Sequence, residues 1–315
     1  MPTRSAADMK AVAVAALALS AAGLGLLRAL ARRGKDVRLP RSPHATRSWA
    51  LWAAQILSTA RSSSKKIASA TLLKINTEGD ALMCQDAMIE RPGALGALVG
   101  WKCGATTADA QAALGIDEPF AAPLFSKYTY AAEAPEVLDL GYKQTPSRKV
   151  EAEIGFRLGR SLPKRRRAYT EVEVWAAVAE VLPVVEFVHG RIEAGQNTLT
   201  IMADGGINAA TVHGKPRTQA DADCSTSMCD EHVRLTVNKK VMAEGTGELA
   251  YGSPLRALTW LANHLITRGH CLQAGQLVIT GAIASCDISP GDTVAALYDT
   301  LGSVEVNMVA KLWEA

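Results

Sequence analysis

Three glutamates stand at positions where apolar residues would be expected. Glu151 and Glu153 lie in the run Lys149-Val150-Glu151-Ala152-Glu153-Ile154-Gly155-Phe156-Arg157-Leu158-Gly159, which reads as a β-strand. Successive strand side chains point to opposite faces, so the two carboxylates share one face while Val150, Ala152 and Ile154 take the other. Two carboxylates held side by side repel unless a cation or a proton neutralises them. A third acid, Glu186, interrupts the apolar run Pro183-Val184-Val185-Glu186-Phe187-Val188. A glutamate inside such a run is seldom buried without a partner. If the two strands lie side by side, Glu186 can face the pair, and three carboxylates with waters make an oxygen-only site suited to Mg²⁺ or Mn²⁺. A bare Glu-x-Glu pair is also what a solvated strand face carries, so the reading turns on what surrounds it.

Lys102 sits between Trp101 and Cys103 in an uncharged stretch. Buried, its pKa would fall and it would become a usable acid or base; at the surface, its stem would only cover apolar area. The six cysteines, Cys84, Cys103, Cys224, Cys229, Cys271 and Cys286, show no Cys-x-x-Cys spacing, which favours free thiols in a reducing compartment over a zinc site. His189 is a lone histidine that could reach the site, although such residues are more often structural. The chain holds no Gly-rich phosphate loop, no Gly-x-Ser-x-Gly elbow and no internal repeat.

Several elements must position these groups. Asp80 to Ile89 and Thr106 to Leu114 read as helices, the second stopped by Gly115. A capping box at Thr170-Glu171-Val172-Glu173 predicts a helix running through Val181-Leu182 to a stop at Pro183. Val233 to Met242 reads as a hairpin across Asn238-Lys239-Lys240. Ser253 as N-cap, with Pro254 in the first turn, predicts a helix with one apolar face that Gly269 closes. Gln276 to Gly281, Thr293 to Tyr298 and Ser303 to Val309 read as strands.

The stretch Val150-Glu151-Ala152-Glu153-Ile154 and the later Pro183-Val184-Val185-Glu186 resemble the core of the 2-keto-4-pentenoate hydratase and 2-oxohept-3-enedioate hydratase family, within the fumarylacetoacetate hydrolase superfamily. Gly100-Trp101-Lys102-Cys103-Gly104, Leu114 to Pro119, Ala203-Asp204, Gly252-Ser253-Pro254-Leu255 and Thr280-Gly281 match in the same order. The resemblance implies a strand-rich, mixed α+β fold like the fumarylacetoacetate hydrolase C-terminal domain, a homo-oligomer, and Mg²⁺ or Mn²⁺ held by Glu151, Glu153 and Glu186. It makes Lys102 the catalytic residue. Thr280 and Gly281 would meet the substrate carboxylate or simply form a turn, and Asp204 would back the ligands or organise its own turn. The implied partner is a small 2-oxo acid and the implied enzyme a hydro-lyase of aromatic compound catabolism. It would add water to a 2-hydroxy-2,4-dienoate of the 2-keto-4-pentenoate type, giving a 4-hydroxy-2-oxo acid. A 2-oxo acid decarboxylase and an acylpyruvate hydrolase are the alternatives inside the superfamily, and a non-catalytic metal-binding scaffold is the alternative outside it. Two departures matter. The family's acid directly after the proline of Leu-Gly-x-x-x-Pro is Phe120 here, which bears on hydration more than on metal binding. The Asn of its Ala-Asp-Asn segment is Gly205.

The start of the chain is a different material. Residues 1–66 hold 12 Lys or Arg against Asp8 and Asp36, although the whole chain has a net charge of only +3. Residues 11–27 form an apolar, alanine-rich run at the short edge of a membrane span. An Arg- and Ser-rich, acid-poor leader resembles an organelle transit peptide, mitochondrial or other; a signal anchor with membrane contact or an unused tail are the alternatives, and without import the protein would be cytoplasmic. Aromatic residues among the basic ones are limited to Trp49 and Trp52, which argues against nucleic acid. Thr46 to Ser58 can form a short helix, and Ser62 to Lys66 reads as a linker. The expected division is a leader over 1–66 and a catalytic domain over 67–315.

Overall fold

The computed structural model describes residues 41–42, 44–63, 65–132, 148–220 and 228–307. The apolar run 11–27, Cys224 and the end of the last expected strand lie outside the described residues.

Helix α1 (Arg47–Ser63) is the first element among the described residues. It is followed by β1 (Ile67–Ser69), α2 (Glu78–Glu90), β2 (Leu98–Gly104), α3 (Ala108–Leu114), β3 (Phe120–Phe125) and β4 (Thr129–Ala131). The middle of the chain supplies β5 (Arg148–Leu158), α4 (Glu171–Trp175), β6 (Val178–Val188), β7 (Ile192–Ala194), α5 (Thr198–Ala203), β8 (Asn208–His213) and β9 (Arg217–Thr218). The last part adds β10 (His232–Val237), β11 (Lys240–Thr246), α6 (Pro254–Thr267), β12 (Leu277–Ile279), β13 (Ala284–Ile288), β14 (Thr293–Tyr298) and β15 (Gly302–Asn307). This is the expected mixed α+β architecture, rich in strands.

The main sheet runs β3-β2-β12-β5-β6-β8-β4, with β13 added on β5 and β9 on β6. A smaller sheet runs β11-β10-β14-β15. Strand β5 organises both layers because its alternation is strict. Val150, Ala152, Ile154 and Phe156 are fully buried in a core shared with Val233, Leu235, Val294 and Val304 of the smaller sheet and with Leu258, Leu261 and Leu265 of α6. Glu151 and Glu153 take the other face. That side is walled by a second apolar cluster, in which Ala53, Leu57 and Ala60 of α1 meet Ala81 and Cys84 of α2, Phe120 and Ala122 of β3, and Met202 of α5.

The structure departs from the sequence reading in three places. The helix begun by the Thr170 capping box ends at Trp175, and residues 178–188 form one strand instead. Pairing with β5 decides the matter: Val181 faces Phe156 and Glu180 faces Arg157, where Arg157 Nε and Glu180 Oε2 form an ion pair at 2.8 Å. Pro183 does not break this strand. It falls between the residues that pair with β9, Glu180 and Val181, and those from Val184 onward that pair with β8, where a missing N–H removes no ladder bond. Second, packed structure extends before residue 66. Helix α1 lies inside the expected leader and runs beyond Ser58 into the expected linker, yet Ala50, Ala53, Ala54, Leu57 and Ala60 are buried by it. That apolar face packs against α2, β3 and α5 in one cluster. Third, β13 occupies residues for which no strand was expected.

Candidate metal and acid–base centre

Register alone gathers the site. Glu151 pairs directly with Glu186 across β5 and β6, so the two side chains share a face, and Glu153 follows two residues along. On the other side of β5, Gly155 pairs with Ile279 and Ile279 with Lys102, which puts Lys102 on the same face two strands away. Thr211 of β8 pairs with Glu186 and extends that face in the opposite direction.

One oxygen from each of Glu151, Glu153 and Glu186 lies within 4.8 Å of the others. Glu153 and Glu186 are fully buried, whereas the Glu151 side chain keeps 18% of its exposure and marks the open side. Lys102 Nζ donates to both oxygens of Glu186, at 2.7 and 2.6 Å, and to Gly206 O at 3.3 Å. Asn208 Nδ2 donates to Glu186 Oε1 at 2.7 Å and to Thr211 Oγ1 at 3.0 Å. Gly281 N donates to Glu153 Oε2 at 2.7 Å. Its φ of +102° lies where glycine is favoured, and a Cβ there would meet Thr106 Oγ1 at 2.1 Å, so only glycine allows this approach.

The electrostatics follow from three acids set against one lysine. Burial, then the neighbouring Glu186, holds the Glu153 carboxyl well above its usual range, and Glu151 is raised for the same two reasons. Burial would lower the Lys102 ammonium, but Glu186, Glu153 and Glu151 outweigh it and raise the pKa. The downward shift expected from burial alone is therefore corrected: this lysine is a firmly protonated cation while the carboxylates are charged. Glu153 Oε1 is buried with no hydrogen-bond partner among the described residues. An oxygen-only donor set, an excess of buried negative charge and an orphaned, buried carboxylate oxygen on one of its members fit a hard divalent cation.

The remaining expected residues sort differently. Thr280 is buried, and its hydroxyl donates to Ile154 O at 2.8 Å, tying β12 to β5. The Gly281 N–H is committed to Glu153 rather than facing the open side. Asp204 is buried one layer out, where Arg191 pairs with it at 3.4 Å and Arg191 N donates to it at 3.1 Å. Arg191 also donates to the Asn208 carbonyl. Phe120 packs its ring against Gly104, and Gly206 lies between that ring and the Lys102 stem. Asn208 and Arg61, which donates to Asn208 Oδ1 at 2.6 Å, were not singled out from the sequence.

Residues 100–309 match the model of the fumarylacetoacetate hydrolase C-terminal family. A 2-keto-4-pentenoate hydratase of Paraburkholderia xenovorans is 34% identical over 259 residues, covering 80% of this chain and 92% of that protein. A 4-oxalocrotonate decarboxylase of Pseudomonas putida is 29% identical over 218 residues, 67% of this chain and 78% of that one. Among solved structures, the 4-oxalocrotonate decarboxylase of Pseudomonas putida G7, complexed with magnesium and adipate, superposes with a TM-score of 0.75 at 26% identity, covering 86% of this chain and 100% of its own. These relatives are bacterial, which lends no support to an organelle transit peptide. No helix among the described residues is long and apolar enough to cross a membrane, and nothing in them supports the expected membrane contact.

Proposed function

We propose that this chain, which belongs to the fumarylacetoacetate hydrolase family, is a divalent-metal-dependent hydro-lyase adding water to a 2-hydroxy-2,4-dienoate to give a 4-hydroxy-2-oxo acid. The observation that carries the reading is the convergence of Glu151 with the buried Glu153 and Glu186 within 4.8 Å, with Lys102 on Glu186. Its relatives named 2-keto-4-pentenoate hydratase support the choice of substrate class.

Glu151, Glu153 and Glu186 would hold the ion, with Mg²⁺ first and Mn²⁺ as its substitute. Bound there, it would supply a Lewis acid that stabilises negative charge developing on the substrate. Lys102 Nζ, kept protonated by its carboxylate neighbours, would deliver a proton to C5 of the dienol and recover one from the 2-hydroxyl. That transfer leaves a 2-oxo-3-alkenoate whose C4 is electron-poor, so water adds at C4 and a proton at C3. Asn208 and Gly281 fix the Glu186 and Glu153 carboxylates by donating to them. Thr280 and Asp204 act from behind, through Ile154 and Arg191, so their part is to hold the frame.

A second reading, decarboxylation of a 2-oxo acid, is favoured by one feature. The ring of Phe120 stands near the Lys102 stem where an acid that could position water is expected in the hydratase pattern. A Mg²⁺-dependent assay of 2-hydroxypenta-2,4-dienoate, oxaloacetate and an acylpyruvate in parallel separates the classes. Hydration of the dienoate is the expected result. Release of CO₂ or cleavage of the acylpyruvate instead would select another reaction, and inactivity on all three with metal bound would leave a scaffold. The homo-oligomer implied by the resemblance remains a proposal that light scattering in solution tests.

A further inference from the structure

Helix α1 reaches toward the site through Arg61. Arg61, in its last turn, donates from Nη2 to Asn208 Oδ1 at 2.6 Å and to Ala209 O at 3.4 Å. Its guanidinium lies over the Tyr128 ring at 3.9 Å from the centroid. Asn208 is 1% exposed, and its other amide atom, Nδ2, donates to Glu186 Oε1 at 2.7 Å. The chain of contacts therefore runs from the last turn of α1, through one amide, to a carboxylate of the proposed metal site.

Donor and acceptor chemistry permits only one arrangement of that chain. A guanidinium can only donate and a carboxylate can only accept, so the amide between them must turn its oxygen to Arg61 and its NH₂ to Glu186. Arg191 holds the same residue from the backbone side by donating to the Asn208 carbonyl. We infer that Arg61 is a positioning residue for the metal site: it fixes the rotation of the Asn208 amide and strengthens its N–H donation to Glu186. A charge-assisted bond to the amide oxygen polarises the amide and makes its N–H a better donor. Without Arg61 the Asn208 oxygen would be buried with its principal donor gone. The amide would be free to turn, and Glu186 would lose either the donor or its orientation. This inference rests on the proposed metal-binding role of Glu186.

A competing account is that Arg61 merely clamps α1 to the sheet. The test is Mn²⁺ binding, followed by loss of the free-ion electron paramagnetic resonance signal, on full-length wild type, Arg61→Met and Tyr128→Leu, each with its melting temperature. Tyr128→Leu removes the stacking partner but leaves the bond to Asn208. Partners that orient metal ligands are typically worth about 10- to 100-fold in affinity. The expected result is about tenfold weaker Mn²⁺ binding in Arg61→Met, against no more than about a twofold change in Tyr128→Leu. Equal changes in both variants, or unchanged affinity in Arg61→Met, would overturn the proposal. Arg61→Gln, whose shorter polar head stops short of Asn208, takes its place should the methionine variant not fold. If wild type itself binds no Mn²⁺, the metal reading fails. The Asn208 side-chain amide resonances then decide: loss of their slow exchange in Arg61→Met supports positioning, and persistence refutes it.

Discussion

Replacing Glu153 by glutamine should have opposite effects on stability with and without metal. The ligand oxygens lie within 4.8 Å of one another, and at that separation one pair of like charges costs about 3.5 kcal/mol with an effective dielectric constant near 20. Glu153 has two such neighbours, and the Lys102 ammonium offsets part of their effect. Proton uptake limits the remainder, since a carboxyl held well above its usual range relieves repulsion by becoming neutral. The net gain from Glu153→Gln in EDTA is then about 1–3 kcal/mol, or roughly 3–8 °C in melting temperature for a domain of this size. Glutamine also suits the pocket: its oxygen can accept from Gly281 N, and its NH₂ can take the place of the unpartnered Oε1. The pH dependence has a definite sign. Because the folded pKa is raised, Glu153 costs metal-free wild type nothing below the ordinary glutamate range and removes stability as pH rises from there to the folded pKa. The variant lacks this loss, so the gap between them opens with rising pH. In saturating Mg²⁺ the order reverses. Wild type gains about 2.7 kcal/mol at a hundredfold excess over Kd, and a variant short of one ligand charge gains far less. Melting curves in EDTA and Mg²⁺ between pH 5 and 8 measure all of this. A variant less stable than wild type in EDTA, yet equally stabilised by Mg²⁺, would refute the idea of a strained carboxylate trio.

Two further outcomes are expected. Lys102→Met should lower turnover of the dienoate by about 100-fold or more, while Mn²⁺ binding is kept or tightened because the cation neutralising Glu186 is gone; unchanged turnover would reject Lys102 as the proton carrier. Asp80 caps α2: burial would raise its pKa, but donors from Ser42, Asn76 and Thr77 outweigh this and lower it. Its stabilisation is present at neutral pH and is lost as pH falls through that lowered value, so Asp80→Asn should cost about 2 kcal/mol at pH 7 and progressively less in acid. Denaturant unfolding at pH 7 and pH 3 checks this, and a gap independent of pH would count against it.

What the sequence revealed and what it hid divide along a physical line. Glu151 and Glu153 were legible because strand alternation is local, and Glu186 because a charge inside an apolar run is an anomaly whatever the fold. The direction of the Lys102 shift was not, since burial can be guessed from neighbours in sequence but the three carboxylates that outweigh it arrive from β5 and β6. The strand over 178–182 was hidden by a real capping box just before it and by a proline that looked like a stop. Only the gap between β8 and β9 makes Pro183 acceptable there, and that gap is a tertiary fact. Asn208 and Arg61 carried no local signal. They are 147 residues apart, and neither is unusual in its own neighbourhood.

The same dispersion constrains how metal and fold are coupled. The proposed ligands come from β5 and β6, the lysine from β2, the amide holding Glu186 from β8, the N–H holding Glu153 from the turn after β12, and the guanidinium behind them from α1. No contiguous piece of chain contains the site, and each strand that supplies a group is also part of one hydrogen-bonded sheet. An unfolded chain therefore has no preformed cluster of these carboxylates, so an ion held by all three binds the folded state almost alone. Its binding free energy then appears as stability of the whole sheet rather than of a loop. That coupling also bears on the cost of keeping three acids together. Repulsion within the trio would weaken the metal-free sheet along β5 and β6, and a cation that relieved it would tie together the strands on which Glu153 and Glu186 must hold their places.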